Sequence, residues 1–273
     1  NTRRRPHQTW RCIDRQPMLA DSRRVGSPAP AQGTLTADMH KTAIITGASS
    51  GIGAETAATL LGKRFVVINI ARRRCAGDGV INIAADLGSD DGAEEAAGAC
   101  RSHIPEGASQ ISLIHNASLM LKDSVSTCET QALQRTFSVN VLAVNTINRV
   151  LIGAMAPGSS IIYVGSTLSE KAVAGAYSYV LSKHAQLGQM RATCQDLSGS
   201  GIHTAMVCPG FTDTEMLRQH LGGDAALMHD IGSQNSFGRL VKPEEIAGVI
   251  TWVHASPVVN GTVVHANLGQ TER

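Results

Sequence analysis

The sequence predicts one doubly wound α/β domain, a seven-stranded and mainly parallel sheet with helices on both faces. Three observations predict it. From Thr42 onward, short β-branched apolar runs alternate with longer helical stretches, the pattern of consecutive βαβ units. Seven such runs occur, the number a doubly wound sheet needs. The 273 residues, 42% of them hydrophobic, suffice to bury one sizeable core.

Strands are expected at 42–46 (TAIIT), 65–70 (FVVINI), 80–83 (VINI), 111–115 (ISLIH), 160–165 (SIIYVG), 202–208 (IHTAMVC) and 262–266 (TVVHA). Between them the spacing predicts helices over about 52–62, 90–103, 129–155, 178–198 and 244–254. The last opens with Pro243, then Glu244 and Glu245, a first-turn proline followed by acids that complement the helix dipole. The gap at 71–79 is short and holds two glycines, so no crossover helix of normal length fits there. Residues 211–238 are Gly-rich, with Met216, Leu217, Leu221, Leu227, Met228 and Phe237 interspersed, a composition that suits a mobile lid better than a core element.

Residues 1–38 stand apart, with four of the nine prolines, seven arginines, three aspartates and no lysine. They have too little apolar periodicity to offset the entropy of ordering, and are expected to be a disordered or non-native N-terminal extension. An Arg-rich leader suggests a transit peptide, but the aspartates and prolines oppose an amphipathic helix. Met39-His40-Lys41 looks like a natural start, so the domain is taken as 39–273. Of the total charge of +2, the extension holds +4, which leaves the rest at −2. That balance excludes nucleic acid as a partner of the folded part, and Arg72-Arg73-Arg74 is too short a basic patch on its own. The six cysteines are scattered without a C-x-x-C pair, so neither a metal site nor a disulfide framework is indicated and a reducing, cytoplasmic location is expected. No uninterrupted apolar run approaches the roughly 20 residues that cross a bilayer, so no membrane partner is expected.

The stretch Thr46-Gly47-Ala48-Ser49-Ser50-Gly51-Ile52-Gly53 admits two readings. As G-x-S-x-G it is a nucleophile elbow with Ser49 as the attacking group of a hydrolase. An elbow serine lies deep in a hydrolase sheet, however, and this one follows the first strand. As a dinucleotide loop, Gly47 permits the turn out of the strand, Gly51 lets the backbone approach a pyrophosphate, and Gly53 lets the helix sit close to the sheet. The N–H groups at the helix start then face the phosphates. The spacing is G-x-x-x-G-x-G rather than G-x-G-x-x-G.

Together with Tyr179-x-x-x-Lys183, this stretch resembles the short-chain dehydrogenase/reductase family over essentially residues 41–270. Further positions stand in the family's order: Asp86 with Leu87 after the third strand, Asn116-Ala117 after the fourth, Asn140 in the long helix and Ser166 after the fifth. Pro209-Gly210 with Thr212 and Thr214 follows the sixth. Ser166 lies thirteen residues before Tyr179, the family's usual interval. The resemblance implies a Rossmann-like fold and a catalytic tetrad of Asn140, Ser166, Tyr179 and Lys183. It also implies cofactor contacts from Gly47, Ser49, Ser50, Gly51, Ile52, Gly53, Arg72, Arg73, Asp86, Leu87, Asn116, Ala117, Tyr179, Lys183, Pro209, Gly210, Thr212 and Thr214, with no metal.

Reduction of a carbonyl needs a hydride at carbon and a proton at oxygen. Tyr179 and Lys183 are four apart and share a helix face, so the ammonium can lower a phenol whose ordinary pKa near 10 makes its anion scarce. Ser166, at the C-terminal end of a parallel strand, lies where such sheets place ligands and could hydrogen-bond a substrate oxygen as charge develops. By resemblance Lys183 also holds the nicotinamide ribose, and Asn140 holds a water that links Lys183 to solvent. Tyr177 and Tyr163 lack a cation four residues on, and Tyr163 is expected to pack. At the end of the second strand Ala71-Arg72-Arg73 offers cations and no acid before Asp78, which favours NADP(H) over NAD(H).

The family's N-N-A-G reads His115-Asn116-Ala117-Ser118 here, so Ser118 adds a side chain near the expected ribose, and His115 is expected to pack rather than catalyse. The family's D-G-G reads Ala266-Asn267-Leu268-Gly269. The expected function is NADPH-dependent reduction of a small to medium apolar ketone or aldehyde, reversible to alcohol oxidation. The alternative is a non-enzymatic NADP(H) sensor on the same fold. By resemblance the helices at 129–155 and 178–198 pair subunits into a homodimer or homotetramer.

Overall fold

The computed structural model describes residues 41–105 and 110–271. The expectation for 1–38 lies outside the described residues. Seven strands, β1 (Lys41–Thr46), β2 (Val66–Ala71), β3 (Val80–Ala84), β4 (Gln110–His115), β5 (Ser160–Val164), β6 (His203–Pro209) and β7 (Val263–Ala266), form one sheet. Its order is β3-β2-β1-β4-β5-β6-β7, and every pairing is parallel. The order reverses between β1 and β4, so a crevice opens at their C-terminal ends, where doubly wound sheets bind ligands.

Alternation along the strands divides the core in two. Ile44, Ile68, Ile70, Leu113, Ile161 and Met206 face the layer of α2 (Gly92–His103), α4 (Ala143–Leu151) and α5 (Tyr177–Asp196). Ala43, Ile45, Val67, Ile162 and Val207 face α1 (Gly51–Gly62) and α8 (Pro243–His254). Because both sheet faces are covered, the strands read as continuous apolar runs.

As expected, no helix joins β2 to β3. Two asparagines hold the connection instead. Asn69 Nδ2 donates to Asn82 Oδ1 (2.9 Å), and the same oxygen accepts from Cys75 N (2.7 Å).

The stretch expected as one helix over 129–155 is continuous but irregular. It comprises α3 (Thr130–Phe137), a π-helical turn over Ser138–Leu142, α4, and a 3₁₀ turn at Ile152–Ala154. In the π turn the Ala143 N–H reaches back five residues to Ser138 O. By length and composition alone Thr130–Ala154 could cross a membrane, while one face of it, Ala143, Val144, Ile147 and Leu151, packs into the core.

The 211–238 stretch expected as an irregular lid carries α6 (Glu215–His220) and α7 (Ala225–Gly232). Thr214 Oγ1 accepts from Leu217 N, and Asp224 Oδ1 accepts from Ala226 N and Leu227 N, so each helix begins at a side-chain cap.

α1 ends in a Schellman turn: Phe65 N donates to Leu60 O (3.1 Å) and Arg64 N to Leu61 O (2.9 Å), with Arg64 left-handed at φ 63°. Since Arg64 is exposed, Arg64→Gly should stabilise the fold by about 1 kcal/mol, read as a higher urea midpoint at unchanged slope.

Candidate active site

The predicted site residues gather at the C-terminal edge of the sheet, most of them just after the end of a strand and the other three on helices. Gly47 through Gly53 join β1 to α1; Arg72 and Arg73 follow β2, Asp86 and Leu87 follow β3, and Asn116 and Ala117 follow β4. Ser166 follows β5, and Pro209 ends β6 just before Gly210, Thr212 and Thr214. Tyr179 and Lys183 rise from the first turns of α5, and Asn140 sits in the π turn.

The glycine loop has a shape that only glycine permits. Gly47 (φ 73°) and Gly51 (φ 54°) are left-handed, and a Cβ on Gly53 would lie 2.4 Å from Gly47 O and 2.5 Å from Asn116 Nδ2. Asn116 Nδ2 donates to Thr46 O and Gly47 O, both at 3.0 Å, while Thr46 Oγ1 accepts from Asn116 N (3.0 Å) and Ala117 N (2.9 Å). Asn69 Oδ1 accepts the Ala48 N–H at 2.9 Å. Sequence reasoning missed Thr46 and Asn69; the signal for Asn69 was an amide in the middle of the apolar run VVINI.

At the start of α1 no side chain caps the helix and no acid occupies its first turn, so its orphan N–H groups face the crevice. This uncapped end, cradled by glycines, fits a dinucleotide pyrophosphate. The hydrolase reading gains nothing: the buried His115 and His203 and the half-buried His254 are engaged with Asn148, the Val253 carbonyl and Ser160.

Arg73 extends over the crevice and pairs with Glu215 of α6 at 2.8 Å, with a second donation to Ser50 Oγ at 3.3 Å. Both partners are largely exposed, so solvent screens the pair and it adds little to stability. Arg72 beside it is exposed. Asp86 Oδ1 accepts from Gly88 N at 2.9 Å and fixes the turn after β3. The Leu87 side chain is buried in the core, which leaves its backbone for any ligand. A Cβ on Gly210 would lie 2.9 Å from Asn267 Cα, so this turn also requires glycine. The Thr212 hydroxyl donates to Gly210 O.

Ser166 Oγ accepts from Leu168 N (3.1 Å) and Ser169 Oγ accepts from Ser166 N (3.2 Å), a pair of contacts that locks the turn after β5. The phenol of Tyr179 is buried, and burial pushes it up to about 12 against the opposing pull of the Ser166 and Ser118 hydroxyls that face it. Lys183 is 1% exposed. Burial brings it down to about 8, with the Cys208 thiol acting the other way.

The expected lowering of Tyr179 by Lys183 is therefore overridden: Lys183 Nζ lies 5.5 Å from the ring centroid, and desolvation governs the phenol. At neutral pH the pair is a neutral acid beside a cation.

The Asn140 side chain is fully engaged. Its Oδ1 accepts from Leu119 N (2.7 Å) and Ser118 Oγ (3.2 Å), and its Nδ2 donates to Leu119 O (2.9 Å) and Ser182 Oγ (2.8 Å). It thus ties the loop after β4 to α5. Ser118, the departure from the family's glycine, stands between Asn140 and the Tyr179 phenol.

Tyr163 and His115 pack, as the sequence leads one to expect. Tyr163 is buried, with its hydroxyl hydrogen-bonded to Asn148 and Thr193. His115 packs against Tyr163 with Nε2 on Asn148 Oδ1 (2.8 Å), and burial takes it down to about 4. Among the described residues no group of side chains could hold a metal.

Known proteins resemble this chain over most of its length. The family model described as "Enoyl-(Acyl carrier protein) reductase" matches residues 47–271. The short-chain reductase protein NovJ of Streptomyces niveus is 27% identical over 263 residues, which cover 89% of this chain and 99% of the relative. The 3-oxoacyl-[acyl-carrier-protein] reductase FabG of Pseudomonas aeruginosa is 26% identical over 241 residues, covering 84% and 96%. Among solved structures, a short chain dehydrogenase from Burkholderia cenocepacia J2315 in complex with NADP superposes with a TM-score of 0.75 at 25% identity, covering 85% of this chain and 99% of that one. With a matched family model over most of its length and the glycine cradle, the tyrosine and the lysine at one sheet edge, this chain belongs to the short-chain dehydrogenase/reductase family of nicotinamide-dependent oxidoreductases.

Proposed function

We propose that the protein reduces a ketone or aldehyde to an alcohol with NADPH, reversibly, and that Tyr179 is the general acid. The observation that carries this reading is the buried, neutral Tyr179 phenol facing Ser166 and Ser118, one helical turn from the Lys183 cation, at the crevice beside the glycine loop. The α1 N-terminus and Gly47 to Gly53 would hold the pyrophosphate, with Asn116, Ala117, Pro209 to Thr214 and Lys183 along the remainder of the nucleotide. When bound, NADPH supplies the hydride. Tyr179 Oη donates its proton to the carbonyl oxygen, and Ser166 Oγ orients that oxygen and stabilises the negative charge as it builds. Lys183 stabilises the phenolate that remains. A phenol protonated at neutral pH suits the reductive direction.

NADPH rather than NADH is favoured by Arg72 and Arg73 at the end of β2, since a guanidinium binds a 2′-phosphate bidentately. The weak Arg73 to Glu215 pair would yield to that phosphate at little cost. The related structure with bound NADP supports the same choice. Replacing both arginines by serine should raise the KM for NADPH roughly 10- to 100-fold and leave that for NADH within about twofold, as measured by initial rates with each nucleotide. Equal losses with both nucleotides would refute the assignment.

Met216, Leu227 and Phe237 are exposed on and beside α6 and α7, which supports an apolar substrate. Exposure of Leu142, Tyr177 and Leu181 on the long helices supports self-association there. The test of function is absorbance at 340 nm with NADPH or NADH and a panel of aldehydes and ketones. Tight NADPH binding with no turnover across the panel would favour the alternative, a nucleotide sensor.

A further inference from the structure

Lys183 Nζ donates to two neutral acceptors: the Val164 carbonyl at the end of β5 (2.8 Å) and Gln186 Oε1 one turn along α5 (3.1 Å). The same amide continues outward, and Gln186 Nε2 donates to the main-chain carbonyl of Asn140 (3.2 Å). Gln186 and Asn140 are both fully buried. The amide orientation is set by chemistry, because a flipped group would turn its N–H toward the ammonium and its oxygen toward the carbonyl. Asn140 stands in the π turn, where the regular helical ladder is re-registered, and this turn brings its carbonyl to face α5.

We propose that Gln186 is a positioning residue of the active site: its side chain, as one buried amide, links Lys183 to the Asn140 carbonyl, beside the water that the family resemblance has Asn140 hold, and so keeps the ammonium at Tyr179. This rests on the reading of Tyr179 and Lys183 as the reacting pair. An amide accepts and donates hydrogen bonds in fixed directions and does not rotate as a water does, so the position of Nζ is set by α5 and the π turn together. The titratable groups facing Lys183 are Tyr179 on its own helix and Cys208 from β6. Neither is charged at neutral pH, so Gln186 and the Val164 carbonyl are the contacts that hold the ammonium in place.

The test is an NMR titration of protein labelled with ¹³Cε-lysine. The chain has six lysines, and Lys183→Arg identifies the resonance. Wild-type Lys183 should lose its proton near pH 8. In Gln186→Glu a carboxylate faces the ammonium, and the titration should move up by about one pH unit or more. In Gln186→Leu the acceptor is gone, and it should move down by about one unit. The alkaline limb of kcat/KM for carbonyl reduction should move in the same directions, and kcat of the Leu variant at pH 7 should fall about 10-fold with KM nearly unchanged.

An unmoved titration and an unmoved alkaline limb in Gln186→Glu would show that the amide only fills space, and would overturn the proposal. Should Gln186→Leu fail to fold, the near-isosteric Glu variant decides the matter alone. The NMR readout needs no turnover, so shifted titrations in a protein that reduces no carbonyl would establish the bridge and sink the proposed function. Turnover with unshifted titrations would sink the bridge alone.

Discussion

On the proposed function, Tyr179→Phe should lower kcat for carbonyl reduction by about 10³-fold and leave NADPH binding within about twofold of wild type, because the substitution would remove the proposed general acid and no bulk. The ring is 8% exposed and packed at the base of the crevice, and phenylalanine keeps that packing. The proton is then missing where the carbonyl oxygen would take on charge, and no other acid is placed to supply it. Ser166 and Ser118 face the same point, but a serine hydroxyl is a far weaker acid than a phenol. The checks are steady-state rates at 340 nm and nucleotide fluorescence for binding. Substantial activity in the variant would remove Tyr179 from the proposed role while leaving the family assignment intact.

The second large effect belongs to the loop that cradles the nucleotide. Gly53→Ala should destabilise the fold by about 3 kcal/mol and weaken NADPH binding by roughly two orders of magnitude. The added methyl would lie 2.4 Å from Gly47 O, 2.5 Å from Asn116 Nδ2 and 2.9 Å from Ala48 Cα. Two of these, Gly47 O and Ala48 Cα, are backbone atoms that cannot swing aside. Asn116 Nδ2 is itself the clamp on Thr46 O and Gly47 O, so the loop must open to make room. Gly62→Ala, in the same helix with nothing within 4 Å of its absent Cβ, is the control and should be neutral or slightly stabilising. Urea denaturation followed by circular dichroism compares the two, and equal stabilities would contradict the steric account.

Much of this was legible in the chain. The strand runs were visible because a sheet covered on both faces is apolar throughout, and β1 through β7 fall within one or two residues of their expected bounds. The spacing of Tyr179 and Lys183 states a shared helix face without reference to any other residue. The packed roles of His115 and Tyr163 followed from their places in or at the end of strands.

Other features were masked by composition. The glycines at 222 and 223 made the stretch between β6 and α8 read as a mobile lid, although Thr214 and Asp224, the caps that start α6 and α7, were there to be read. The π turn at Asn140 has no local signature in SVNVL, since it reflects what the helix packs against.

The order of the elements, the glycine loop after the first strand and the identity of the residues at the sheet's C-terminal edge are all readable from the chain alone. Those properties are local, carried by periodicity and by short fixed spacings. How those residues are poised depends instead on contacts made across the fold. Asn69 reaches the loop from a neighbouring strand, and Gln186 meets Asn140 from 46 positions away. Tyr179 is a neutral acid because it is buried, in spite of the cation on the next turn. Desolvation depends on every group that excludes water from a site, and those groups are gathered from the whole chain by packing.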